Sequence, residues 1–258
     1  MATDDDSYRR LLAEYRKRDN FESVFRTALD DLAAEVDLSW VRSCVAFGCG
    51  SGEHEIEFVR RLLPNLSKFI AIDPDHESIE ALRSNFESAQ LAGVETAFME
   101  TSAENWNGAD KPVDVALFFN VLYHVEGDAR QQLFQKLGTQ HLNPDGIIVI
   151  IDSESPDTSG IIRLMRSLGY AQNSRYGDIE EEVLACGFCS VDSVRDIVGT
   201  RDLSNPTEGI LKYLKLHLGN AIGDELIRAA IAEIYADPDP KVKHVVRKMG
   251  IFRKSSPK

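Results

Sequence analysis

Val45-Ala46-Phe47-Gly48-Cys49-Gly50-Ser51-Gly52-Glu53 decides how the rest of the chain is read. An apolar run from Cys44 to Phe47 meets three glycines at alternate positions, Gly48, Gly50 and Gly52. Apolar residues at helical spacing follow at once: Ile56, Phe58, Val59, Leu62 and Leu63. The pattern predicts strand, tight turn, helix. Glycine tolerates positive φ and presents bare backbone to a ligand. The helix that follows aims unbonded N–H groups at the same place. Together these predict a nucleotide-like cofactor site at the head of a doubly wound sheet.

Moving outward, strand and helix alternate. Strands are expected at Ser43–Phe47, Phe69–Ile72, Val94–Met99, Val113–Phe119 and Ile147–Ile151. Helices are expected at 52–63, 75–91 and 128–141, with a turn at Asn143-Pro144-Asp145-Gly146. Five alternations with short connections predict a parallel α/β sheet with helices on both faces. Beyond Asp152 the pattern changes. A helical piece is expected at Gly160–Leu168, a helix at 178–186, a strand at 188–194 and an edge strand at Lys248–Arg253. That makes seven strands. Helical periodicity fills 7–36 and much of 196–246, and Asp19 or Asn20 is expected to cap a helix. The chain reads as one domain over 1–258, with a helical cap at 1–36 and helical insertions at 153–176 and 196–246 acting as a substrate lid.

The 258 residues carry a formal net charge of −13 and are 43% hydrophobic. So acidic a chain is a poor partner for nucleic acid or an anionic membrane. No stretch approaches the ~20 apolar residues of a membrane span, and the start, Met1-Ala2-Thr3-Asp4-Asp5-Asp6, is unlike a signal peptide. A cytoplasmic monomer acting on a small molecule is expected. Cys44, Cys49, Cys186 and Cys189 are expected as reduced, mostly buried thiols. The Cys186-Gly-Phe-Cys189 spacing follows a helix and opens a strand, the reverse of the thioredoxin arrangement. No metal set is expected.

Three features choose the cofactor. The first is the glycine turn. The second is Asp73, 21 residues beyond Gly52 and at the end of the second strand, where a carboxylate accepts hydrogen bonds from ribose hydroxyls. A cap on the next helix, shared with Asp75, is the competing reading. The third is Glu100-Thr101-Ser102, where small polar side chains meet an adenine edge or simply make a loop. Dinucleotide enzymes usually read Gly-x-Gly-x-x-Gly, but here the third glycine comes one residue early. Glu53, His54 and Glu55 then follow the turn and would repel a pyrophosphate, while a sulfonium cofactor tolerates them. This favours S-adenosylmethionine.

With these motifs in order, the chain resembles the class I S-adenosylmethionine-dependent methyltransferases over roughly residues 40–195. Ala46 stands where many members carry an acidic residue. Asp73-Pro74, Glu77-Ser78, Glu100-Thr101-Ser102, Asn120-Val121-Leu122-Tyr123-His124-Val125 and the N-terminal segment from Tyr8-Arg9-Arg10 are also similar to the histamine N-methyltransferase family. The resemblance implies a cofactor set of Gly48, Gly50, Gly52, Glu53, Asp73 and Pro74, with Ser78, Thr101, Ser102, Phe119 and Asn120. It implies a catalytic group of Asn120, Tyr123 and His124, and substrate contacts from Tyr15, Arg18, Asn120, Tyr123, Met165 and Arg247. Asn120 replaces the Gln of that family. Its acidic contact falls among Arg16-Lys17-Arg18, a polar one near Arg247-Lys248, and its aromatics near Ile161 and Met165. The implied acceptor is therefore a small amine or imidazole that also bears a carboxylate, such as histidine, carnosine or another amino acid. O-methylation of a small molecule and a non-catalytic S-adenosylmethionine-binding role are the alternatives. A solvated helix end is the plainer reading of the basic cluster, packing that of Tyr123 and His124, and a helix-end cap that of Asp152.

Overall fold

The computed structural model describes residues 5–91, 93–153, 175–191, 194–218, 222–237 and 244–255. They divide into two compact units.

The larger unit is built on the sheet. It comprises 25–153, 173–196 and 247–258. Its parallel strands are β1 (Ser43–Phe47), β2 (Lys68–Asp73), β3 (Glu95–Glu100), β4 (Val113–Phe119) and β5 (Leu142–Ser153). The strand path runs β3-β2-β1-β4-β5-β8-β6, with β6 at Phe188–Ser190 and β8 at His244–Lys254. An eighth strand, β7 (Arg195–Thr200), pairs with β8. Eight strands replace the expected seven, because 195–200 lies in a stretch read as helical. The final strand is no edge: β8 runs antiparallel between β5 and β6. Its run Met249-Gly250-Ile251-Phe252 is buried throughout, as a strand covered on both faces must be.

Parallel register sets one transverse row: Met99, Ile72, Phe47, Phe118 and Ile150 stand side by side. Alternate residues feed the two faces. On one, Phe47 stacks on Phe118 at 4.6 Å and joins a core with α5 (Gly127–Lys136) and α6 (Tyr176–Ala185). On the other, Phe69 stacks on Phe86 of α4 (His76–Ser88), and Phe119 meets Phe58 of α3 (Glu53–Leu62) edge-on. Such aromatic pairs add about 0.5–1.5 kcal/mol each beyond burial. Helix α2 (Phe21–Glu35) brings Phe25 to Phe119 as well.

Two boundaries differ for local reasons. The helix expected to 141 is α-helical only to Lys136 and continues as a π turn through Leu137–His141. The expected turn at 143–146 lies within β5, where a register shift between Val113 and Val115 absorbs it. Of the four cysteines, Cys44 and Cys49 are buried, Cys186 is half-buried and Cys189 exposed, all free thiols. Only two are therefore buried, because Cys186 and Cys189 lie where α6 gives way to β6.

The smaller unit holds 1–24, 154–172 and 197–246. In it α1 (Asp5–Arg16), α7 (Glu208–Leu218) and α8 (Asp224–Ala236) enclose Leu11, Tyr15, Leu203, Ile210, Leu214 and Ile227. Arg201 is buried, lies over the Tyr15 ring, donates to its hydroxyl and pairs with Asp19. The helical piece expected at 160–168 and Met165 fall outside the described residues.

Candidate active site

The strand order reverses between β1 and β4, and the connections leaving these two strands start side by side. In open α/β sheets this switch point is where ligands bind.

The connection after β1 is the glycine turn. All three glycines have positive φ: +60° at Gly48, +53° at Gly50 and +75° at Gly52. The reasons for glycine differ. A Cβ on Gly48 would lie 2.1 Å from Val121 Cγ2, and one on Gly52 1.8 Å from Leu82 Cδ1. A Cβ on Gly50 would meet nothing within 4 Å. Gly48 and Gly52 are thus close-packing positions, whereas Gly50 exposes bare backbone to open space. The turn hangs on β2: Gly48 N–H donates to Ile72 O at 2.7 Å, and the Cys49 thiol donates to Ala46 O. No side chain caps α3, whose first turn carries Glu53 and Glu55. Glu53 is exposed and Glu55 buried. His54 is half-buried, edge-on to Phe25.

Asp73 resolves its two readings. The α4 cap is Asp75, whose carboxylate accepts the Ser78 N–H at 2.9 Å. Asp73 instead accepts the Gly50 N–H at 2.8 Å and the Asp75 N–H at 3.0 Å, and it is buried. The carboxylate therefore stands at the glycine turn and helps to shape it. Pro74 is exposed and Ser78 half-buried. Thr101 N–H donates to Asp73 O at 3.1 Å, which ties the loop after β3 to the end of β2. Ser102 Oγ accepts from Asn105.

The connection after β4 holds Asn120, Tyr123 and His124. Asn120 has φ +55°, and its N–H donates to Ile151 O at 2.7 Å. Asparagine is among the few non-glycine residues that enter this region readily, which gives a backbone reason for Asn here. Leu122–His124 form one 3-10 turn. The Tyr123 and His124 rings lie 4.1 Å apart. Burial lowers the His124 pKa below the usual histidine value, opposed by the negative charge of Asp73. His124 and Asp73, 51 positions apart in the chain, thus lie close enough for the carboxylate's charge to be felt at the imidazole. Phe119 faces the other way, into the α2 and α3 layer, against Phe25 and Phe58.

Three charged residues stand at this edge, of which the sequence reading singles out Asp152 and Arg247 but misses Arg130. Asp152, at the end of β5, is fully buried, and its pKa is raised to about 7 by desolvation, against the pull of Arg247 and Arg130. Its Oδ1 accepts the Ser153 N–H at 2.7 Å. Arg130 is buried and forms a two-point ion pair with Glu182. Arg247 is half-buried, in register with Ser153. Tyr15 and Arg18 belong to the smaller unit, where Tyr15 stacks on Tyr213 at 4.5 Å and the Arg18 carbonyl accepts from Asp202.

Residues 45–146 match the family model described as a methyltransferase domain. Over those residues the chain carries a methyltransferase domain. The donor of such a domain is S-adenosylmethionine, and the bare Gly50 backbone beside the Asp73 carboxylate fits its ribose and amino acid portions. Three solved structures illustrate the likeness in fold. A candidate methyltransferase of Bacillus halodurans C-125 is 12% identical, with TM-score 0.62 over 90% of this chain and 99% of its own. The cyclase SpnF is 17% identical, with TM-score 0.56 over 89% and 82%. Mycolic acid cyclopropane synthase CmaA1, solved with SAH, is 13% identical, with TM-score 0.55 over 88% and 84%. No curated protein sequence matches the chain significantly. Among the described residues, no helix is long and apolar enough to cross a membrane.

Proposed function

We propose that this methyltransferase methylates a nitrogen of a small amine or imidazole that also carries a carboxylate, such as histidine or a histidine-containing dipeptide. The observation that carries the nitrogen chemistry is His124, desolvated beside Tyr123 at the end of β4 and held below its usual pKa. When bound, S-adenosylmethionine supplies a methyl group on an excellent sulfonium leaving group. The protein then has mainly to orient the nucleophile. An amine or imidazole arrives partly protonated and must free its lone pair before attack. His124 Nδ1 or Nε2, neutral at pH 7, accepts that proton, while the Asn120 amide and the Tyr123 hydroxyl orient the nitrogen. The carboxylate preference rests on Arg247, which stands near where the histamine N-methyltransferase resemblance leads one to expect a polar contact.

The test is turnover of histamine, histidine, carnosine and a simple phenol with labelled donor. Histidine or carnosine is expected to lead. A clear preference for histamine overturns the carboxylate assignment, and methylation of the phenol alone makes the enzyme an O-methyltransferase. Tight S-adenosylhomocysteine binding with no acceptor turned over points to the non-catalytic role. Activity is expected to fall on the acid side, as pH drops through a His124 pKa below the ordinary value of about 6.5.

A further inference from the structure

The loop that carries Tyr123 and His124 is gripped from behind. Arg130, in the first turn of α5 and buried, donates one guanidinium nitrogen to Val125 O at 2.7 Å and to Leu122 O at 3.1 Å. Its other two nitrogens reach the Glu182 carboxylate of α6 at 2.8 and 2.6 Å. The two carbonyls bracket the Tyr123-His124 pair in the chain. Asp152 lies near enough for the charges of Arg247 and Arg130 to act on its carboxylate. At the loop's start, Val121 is set against Gly48 of the donor turn.

A buried ion pair is weak evidence for stability, since desolvation consumes most of the attraction. The planar fork of arginine instead specifies geometry, which lysine cannot reproduce. We propose that Arg130, clamped by Glu182, is a positioning residue for methyl transfer: it holds the Leu122 and Val125 carbonyls so that Tyr123 and His124 face the acceptor. The proposal rests on the reading that Tyr123 and His124 serve that acceptor.

The experiment is a pH titration of the His124 imidazole by NMR, in wild type, Arg130→Lys and Glu182→Gln, with the signal assigned from its loss in His124→Asn. Arg130→Lys keeps the charge, so any movement of the His124 pKa reports its surroundings. The expected result is a rise toward the ordinary histidine value by about half a unit or more, with a smaller rise in Glu182→Gln. S-adenosylhomocysteine affinity is expected to stay within about threefold, because Gly50 and Asp73 are untouched, and kcat on an accepted substrate to fall about tenfold with KM little changed. An unchanged His124 titration in a cooperatively folded Arg130→Lys protein overturns the proposal. Should Arg130→Lys not fold, an unchanged titration in Glu182→Gln overturns it equally. A shifted titration with unchanged kcat leaves Arg130 holding the loop and refutes the acceptor role of Tyr123 and His124.

Discussion

The turn after β1 and the loop after β4 leave adjacent strands, yet opposite means hold them in place. The turn is built from backbone. Three left-handed glycines and hydrogen bonds to Ile72 and Asp73 define it, and only Asp73 contributes a charged side chain. The loop is built on side chains from elsewhere: Arg130, fixed by Glu182, takes its carbonyls, and Leu122 is buried in the core. One backbone position, Asn120, is left-handed. The difference fits the tasks proposed for the two regions. A cradle for an invariant donor suits a structure written into the local backbone. A surface that selects an acceptor is set by packing, which can change without disturbing the cradle.

Gly48 and Val121 are where the two regions touch, so breaking that contact has the largest expected effect. Gly48→Ala adds left-handed strain and a Cβ that cannot fit beside Val121, at a cost of about 2–5 kcal/mol in urea unfolding. Adding Val121→Ala is expected to recover part of this; no recovery would mean that strain alone sets the cost.

Asp152 tests the loop side through pH. Its folded pKa of about 7 lies above the unfolded carboxylate value, so the folded state binds the extra proton. Its contribution to stability is full below about pH 4 and is lost as pH rises through 7. Asp152→Asn is expected to remove that decline and to stabilise the protein at pH 8 by on the order of 2–4 kcal/mol, read from unfolding at pH 5 and pH 8.

On the turn side, Asp73→Ala removes the acceptor of the Gly50 N–H and the proposed ribose ligand. S-adenosylhomocysteine binding measured by calorimetry is expected to weaken by about 1.5–3 kcal/mol, tenfold or more. The smallest effect is expected at Gly50→Ala. It meets no neighbour, so folding loses only about 1–2 kcal/mol of left-handed strain, while donor binding falls because the new methyl stands in the cradle. Unimpaired binding would remove Gly50 from the donor site.

What could be read in advance follows the same division. The turn, Asp73 and the first five strands announce themselves through glycine, a lone carboxylate at a strand end and unbroken apolar runs, all signals within a few residues. Strand β8 was harder. Its apolar run is short and its neighbours are charged, and nothing in Met249–Phe252 says that a strand as short as β6 will lie outside it. Residues 195–200, with exposed and buried positions alternating, sit in a stretch whose helical periodicity comes from α7 and α8. At the site, Asn120, Tyr123 and His124 could be picked out by their place after β4. Arg130 could not, because it looks like one more charge on an amphipathic helix, and its partner Glu182 lies 52 residues away.

The sequence by itself determined the α/β order, the donor turn and the carboxylate beside it, because each depends on residues close in the chain and on what glycine alone permits. Only the tertiary structure decided that Asp75 caps α4 and frees Asp73 for the turn. It alone set Gly48 against Val121, depressed the His124 pKa and tied the loop after β4 to Arg130 and Glu182. These depend on desolvation and on contacts between distant residues, and neither exists until the chain has folded.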